Sequence, residues 1–142
     1  MGIIYTIGFT KKSLEEFINL LKKNNIQKLL DIRLHNSSQL SGFAKSDDLS
    51  FVLKLFKIGY EHISELAPEE KMLTTYRKSK DWDDYERKFK ALMEHRNAKT
   101  ILKKLLEKGE TICLLCSEDK ADKCHRRLVA ELLKDEIRIV NL

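Results

Sequence analysis

A chain of 142 residues with 42% hydrophobic and 35% charged side chains has enough apolar content to bury one core, which excludes a disordered chain. No apolar run approaches the ~20 residues of a membrane span. Three cysteines, an odd number, argue for reduced thiols in the cytoplasm rather than a secreted disulfide scaffold. The net charge of +5 favours anionic partners, either a small anionic substrate or nucleic acid. The opening MGIIYTIG has no charged n-region, so no secretory leader is expected.

In chain order, IIYTIG (Ile3–Gly8) reads as a short buried strand ended by glycine. Ser13 and Glu16 have capping-box spacing, and Leu14, Phe17, Ile18 and Leu21 line one helical face behind them. KLLDIR (Lys28–Arg33) is a second strand that ends in charge. This predicts a βαβ unit with parallel strands and a right-handed crossover. HNSSQLSGFAKSDD reads as a loop. Leu49, Val52, Leu53 and Phe56 predict a helix over residues 47–57, stopped by Gly59 and followed by a short strand at Tyr60–Ile63. Pro68 opens a highly charged middle. There Trp82, Tyr85, Phe89, Leu92 and Met93 share one helical face, and Ile101, Leu102, Leu105 and Leu106 share another that Gly109 caps. The apolar run TICLLC (Thr111–Cys116) suits a strand buried on both faces. Leu128, Val129, Leu132 and Leu133 mark a last helix, and IRIV a last strand. The alternation predicts one α/β domain over residues 1–142, a mainly parallel sheet flanked by helices.

Ligands of open α/β sheets gather beyond the carboxyl ends of the strands. Gly8–Lys11, Asp31 with Arg33, and Cys116–Asp119 all fall there, and a parallel sheet brings the three to one rim. Asp122 reads as the N-cap of the last helix, which puts Lys123, Cys124 and His125 in its first turn. The positive helix end then predicts a lowered Cys124 pKa. Lys123, Arg126 and Arg127 oppose the helix dipole at about 0.3–1 kcal/mol each. Something negative should compensate: Glu118, Asp119 and Asp122 from within, or a bound phosphate or carboxylate.

The candidate catalytic residues are therefore Cys116, Glu118, Cys124 and His125. Cys116 or Cys124 would be the nucleophile or redox thiol, and His125 or Glu118 would move a proton. The candidate substrate-binding residues are Asp31, Arg33, Arg126, Gly8 and Thr10, with the arginines holding an anionic group. Asp31 and Arg33 could instead pair with each other, or brace the neighbouring loops by side-chain-to-backbone bonds. Cys113, in mid-strand, reads as core. His35, His62 and His95 are isolated and receive no role. The spacing of Cys116, Cys124 and His125 is not a zinc motif, and a fourth ligand would have to come from Glu118 or a distant loop, so no metal is assigned. A Cys116–Cys124 disulfide is an alternative. The residues name no cofactor and no oligomeric state.

The stretches YTIGF, LLDIR, ELAPEEKMLTTYRKSKDWDDYERKF and CLLCSEDKADKCHRRLVAELL resemble the family known as domain of unknown function 488. The last of these is the most specific. The family often has histidine after the first glycine, where this chain has Phe9. The resemblance implies a site at Cys116, Glu118, Cys124, His125 and Arg126, and no established reaction. A looser likeness is to rhodanese-like domains: LLDIR, then a strand ending in cysteine, then a helix. Their arginine-closed anion cradle is not reproduced, since Arg126 lies ten residues beyond Cys116 across an acidic loop. The expected function is an enzyme with a Cys/His/Arg/Glu site for an anionic substrate, phosphorylated or nucleotide-like. The alternatives are a nucleotide or nucleic-acid binding module without catalysis, or rhodanese-like sulfur transfer.

Overall fold

The computed structural model describes residues 2–36, 39–117 and 123–142. Its strands are β1 (Gly2–Gly8), β2 (Lys28–Asp31), β3 (Gly59–His62), β4 (Ile112–Cys116) and β5 (Ile137–Asn141). Its helices are α1 (Leu14–Lys23), α2 (Ser46–Leu55), α3 (Glu70–Ser79), α4 (Trp82–His95), α5 (Ala98–Leu106) and α6 (His125–Ala130). Three 3-10 turns, Gln39–Ala44, Ser64–Leu66 and Glu131–Leu133, complete the order. The strands form one sheet in the order β3-β2-β4-β1-β5, with every pair parallel. The expected parallel sheet flanked by helices is thus present. The opening βαβ unit is also present, but β4 is inserted between β1 and β2. No helix among the described residues is long and apolar enough to cross a membrane.

Strand alternation separates two cores. Cys113 and Leu115 of β4 face Phe17, Ile18 and Leu21 of α1 and Leu49 and Leu53 of α2. Ile112 and Leu114 face Tyr85, Phe89 and Met93 of α4, Leu102 of α5 and Leu128 and Val129 of α6. Alternation therefore sends Cys113 and Cys116 to opposite faces, and only Cys116 joins the α4–α6 side. The apolar face of α1 is started by the expected capping box: Ser13 Oγ accepts from the Glu16 N–H, and Glu16 accepts from the Ser13 N–H.

Several element boundaries differ from the sequence expectation: β2 ends at Asp31 rather than Arg33, β3 spans Gly59–His62 rather than Tyr60–Ile63, and β4 starts at Ile112 rather than Thr111. α2 runs from Ser46 to Leu55 rather than over 47–57, because backbone N–H groups of Phe56 and Lys57 turn back onto Leu53 and Lys54, and Lys57 takes a positive φ. The charged middle holds a further helix, α3, whose apolar stripe is only Met72, Leu73 and Tyr76. Its polar majority hid this stripe.

The chain connections turn in opposite directions at one place. β2 is followed by elements that pack on the α1/α2 face and lead to β3, while β4 is followed by α6 on the other face and leads to β5. Such a switch point leaves a crevice at the carboxyl ends of the two strands. Leu114, in the central strand, is fully buried, whereas Phe51 on α2 is 64% exposed. Leu114→Ala should cost about 2–5 kcal/mol in urea unfolding, and Phe51→Ala should stay within about 0.5 kcal/mol. Equal costs would contradict this layering.

Candidate functional site

Register places the end of β4 against the ends of both neighbours. Cys116 pairs with Gly8 of β1, and the Ile32 N–H, just past β2, donates to the Leu115 carbonyl at 3.2 Å. α6 begins immediately above this point. Its first residue, His125, puts Nε2 2.6 Å from the Ile32 carbonyl oxygen and Nδ1 3.4 Å from Cys116 Sγ. A carbonyl only accepts, so Nε2 carries a proton and donates. Nδ1 is thereby left to exchange a proton with the Cys116 sulfur. Cys124 completes the group: the two sulfurs and the imidazole nitrogen all lie within 4.8 Å of one another, and all three residues are buried. The cluster escaped the spacing test because its parts come from a strand end and a helix start.

The ring is held from the side by an aromatic ladder on α4. Trp82 stacks on Tyr85 at 5.2 Å, Tyr85 on Phe89 at 6.1 Å, and Phe89 meets the His125 ring at 5.5 Å. Burial works against the imidazolium, but the facing Cys116 sulfur and the Ile32 carbonyl outweigh it and raise the His125 pKa above its ordinary value. Cys124 behaves opposite to expectation. Burial pushes its thiol up, and the adjoining Cys116 sulfur pushes it further. The helix starts at His125, Cys124 itself occupies the N-cap position, and α6 has only 6 residues, so the dipole available to Cys124 is small. Asp122, expected as the cap, lies outside the described residues, as do Glu118 and Asp119. Burial likewise pushes the Cys113 thiol up, in the core on the other face.

Asp31 and Arg33 form a buried forked pair. Arg33 Nε and Nη2 donate to the two Asp31 oxygens at 2.8 and 2.7 Å, and the Arg33 N–H donates to the same carboxylate at 3.1 Å. Nη2 also donates to the Ala44 carbonyl at 2.7 Å, and the Tyr60 hydroxyl donates to Asp31 at 2.5 Å. Burial alone would raise the Asp31 pKa, but the guanidinium and these donors hold it below the usual carboxylate range. Burial and the Asp31 carboxylate push Tyr60 up, so it remains a donor. The remaining guanidinium nitrogen, Arg33 Nη1, is buried without a partner among the described residues.

The other expected residues make contacts within the fold. Arg126 is fully buried and donates through Nε to Thr6 Oγ1 at 3.3 Å; it does not line the cavity described next. Arg127 donates to Glu86 at 2.8 Å and Glu131 at 3.4 Å, so α4 supplies part of the negative compensation expected near the start of α6. Gly8 ends β1. The backbone N–H of Thr10 donates to the Ser117 carbonyl at 3.1 Å, and the Thr10 hydroxyl donates to the same oxygen, which ties the β1 loop to the end of β4.

A cavity of about 230 Å³ opens over the cluster. Arg33, Cys116, Cys124 and His125 line it; Tyr76, Trp82 and Tyr85 form an aromatic wall; His35, Arg77 and Lys123 add cationic or titratable groups. No carboxylate lines it among the described residues. The helical face that Trp82 and Tyr85 share borders this cavity, and no pattern in the sequence marks Tyr76, Arg77, Lys123 and His35 as its other lining residues. His35 bonds Glu70 at 2.5 Å, and His62 bonds the Arg33 carbonyl at 2.8 Å. A larger cleft of about 810 Å³ lies at the amino ends of β1, β4 and β5, beside Gly2, Thr111 and Ile137, and among the described residues holds no nucleophile with a paired base.

The family model described as Domain of unknown function DUF488 matches residues 13–133. The chain belongs to this family. No curated protein and no solved structure matches the chain. Most of the DUF488 resemblance read from the sequence falls inside the matched segment, including Asp31, Arg33, Cys116, Cys124 and His125; YTIGF lies before it.

The Asp31–Arg33 pair makes the site's stability depend on pH. Because the folded carboxyl titrates below its unfolded value, the pair contributes fully above the unfolded pKa and is lost as pH falls through the folded one. Asp31→Asn, followed by urea unfolding across a pH series, should lower stability at neutral pH by about 3–5 kcal/mol and flatten the acid limb. Parallel pH curves for the two proteins would contradict the pairing.

Proposed function

We propose that this DUF488 protein is a small cysteine-dependent enzyme for an anionic substrate with a planar or apolar body, with Cys116 as nucleophile and His125 as its base. One observation carries the reading. The Ile32 carbonyl accepts the hydrogen bond of His125 Nε2–H, so Nδ1 faces Cys116 Sγ at 3.4 Å, in a cavity lined by no carboxylate among the described residues. A nucleophile, its base and a third group that orients the base are the parts of an activated thiol. His125 Nδ1 takes the thiol proton as the sulfur attacks an electrophilic centre, and the imidazolium returns that proton to the leaving group. Glu118, the alternative proton carrier, lies outside the described residues.

Arg33 would meet the anionic group. Its Nη1 is a buried donor without a partner among the described residues, a condition that costs about 1–3 kcal/mol and that an incoming oxygen would relieve. Asp31 and Tyr60 position that arginine. Arg77 and Lys123 add positive charge at the cavity wall, and Trp82, Tyr76 and Tyr85 would pack the substrate body. Gly8, Thr10 and Arg126 serve by holding the rim together. Cys113, Cys116 and Cys124 are buried and joined by no disulfide, which suits a reducing compartment such as the cytoplasm.

Alkylation of the reduced protein tests this reading. Iodoacetamide should label Cys116 well ahead of Cys113 and Cys124 at neutral pH, and His125→Asn should slow Cys116 by roughly 10²-fold, the lower end of general-base contributions. Iodoacetate, the anionic reagent, should gain on iodoacetamide in the wild type and lose that advantage in Arg77→Gln and Lys123→Gln. Equal, slow labelling of all three cysteines would contradict the activated thiol. If oligonucleotide binding then survived Cys116→Ser, a binding module would replace the enzyme.

A further inference from the structure

The nucleophile reading leaves one buried group unused. Cys124 sits beside Cys116 with 3% of its surface exposed, and a single attacking thiol does not need a second sulfur. We infer that Cys116, Cys124 and His125 form a binding site for a thiophilic divalent cation such as zinc, which caps the nucleophile when bound.

The donor set fits. Two sulfurs and one imidazole nitrogen are ligands that select zinc over magnesium or calcium. Tetrahedral zinc, with Zn–S near 2.3 Å and Zn–N near 2.0–2.1 Å, sets its ligand atoms roughly 3.5–3.8 Å apart. The sulfur–nitrogen separation of 3.4 Å is close to that, and no pair in the cluster exceeds 4.8 Å. Side-chain rotation of an ångström or so closes the set. The outer shell is in place as well. A ligating histidine usually donates its other ring N–H to a carbonyl or carboxylate, and His125 Nε2 already does so to Ile32 at 2.6 Å.

Charge balances on binding. The ion displaces two thiol protons to solvent, and two thiolates then neutralise its two positive charges, so a buried site gains no net charge. Among the described residues three side chains offer ligand atoms, and the adjoining cavity has room for a water or an anionic group as the fourth. A fourth position filled by water or an anion suits an ion that comes and goes. With Cys116 Sγ coordinated, its lone pair is no longer free to attack. The capping role rests on the proposed nucleophile; the cation site itself does not.

Cobalt(II) added to the reduced, metal-free protein tests the site without any substrate. One equivalent should produce thiolate-to-cobalt charge-transfer bands in the near ultraviolet and the intense visible bands of a tetrahedral ion, and zinc should bleach both. Cys124→Ser and His125→Asn should each weaken binding by at least the roughly 10–100-fold lost with an outer-shell partner alone; Cys113→Ala, in the opposite core, should not. Thermal melts of the metal-free variants establish that each is folded. Stoichiometric zinc should also stop iodoacetamide labelling of Cys116, and a chelator should restore it. Absent charge-transfer bands, or cobalt bound as tightly by Cys124→Ser as by wild type, would overturn the site. Rapid Cys116 labelling without cobalt bands would sink the cation and leave the enzyme reading standing. Cobalt bands with slow labelling of the metal-free protein would remove the capping role.

Discussion

The site depends on one hydrogen bond, from His125 Nε2 to the Ile32 carbonyl at 2.6 Å. It joins the chain just past β2 to the first residue of α6, across 93 positions of sequence. The sheet order makes it possible. With β4 between β2 and β1, the carboxyl end of β4 sits beside the end of β2, and a helix starting soon after β4 reaches the β2 tip. Without that carbonyl, nothing in the ring's chemistry decides which nitrogen faces the sulfur.

Much of the surrounding structure works to hold this bond in place. The α4 ladder ends with Phe89 against the imidazole, so the packing of a long helix is transmitted to one ring. Arg126 anchors the next position of α6 to β1 through Thr6, and Arg127 anchors the one after it to α4 through Glu86. The three consecutive side chains His125, Arg126 and Arg127 thus grip β2, β1 and α4 in turn. Among the described residues, Arg33, Arg77 and Lys123 line the cavity, whereas Arg126 bonds Thr6 and Arg127 pairs with Glu86 and Glu131.

Local signals were legible in the sequence. The Ser13/Glu16 capping box, the apolar β4 run and the pairing of Asp31 with Arg33 are encoded within a few residues of each other. The start of α6 was not. Asp122 is a good cap by residue type, yet the helix begins at His125, where the ring meets Ile32. The burial of Arg126 was hidden for a related reason: arginine is seldom fully buried, and only the packed sheet reveals Thr6 beneath it. Cys124 drew attention as a reactive thiol because a helix end was expected under it. A short helix, burial and a neighbouring sulfur reversed the direction of its titration. The aromatic cavity wall was half visible, since Trp82 and Tyr85 had been placed on one face, but Tyr76 comes from α3, whose polar composition concealed it.

The protonation pattern of His125 is the most direct test of this account. Long-range nitrogen–proton correlation spectra of the ¹⁵N-histidine-labelled protein separate the two neutral tautomers and the imidazolium. The account predicts a proton on Nε2 of His125 in every state, with Nδ1 alone responding to Cys116→Ser. A neutral ring protonated on Nδ1, with Nε2 bare, would contradict it.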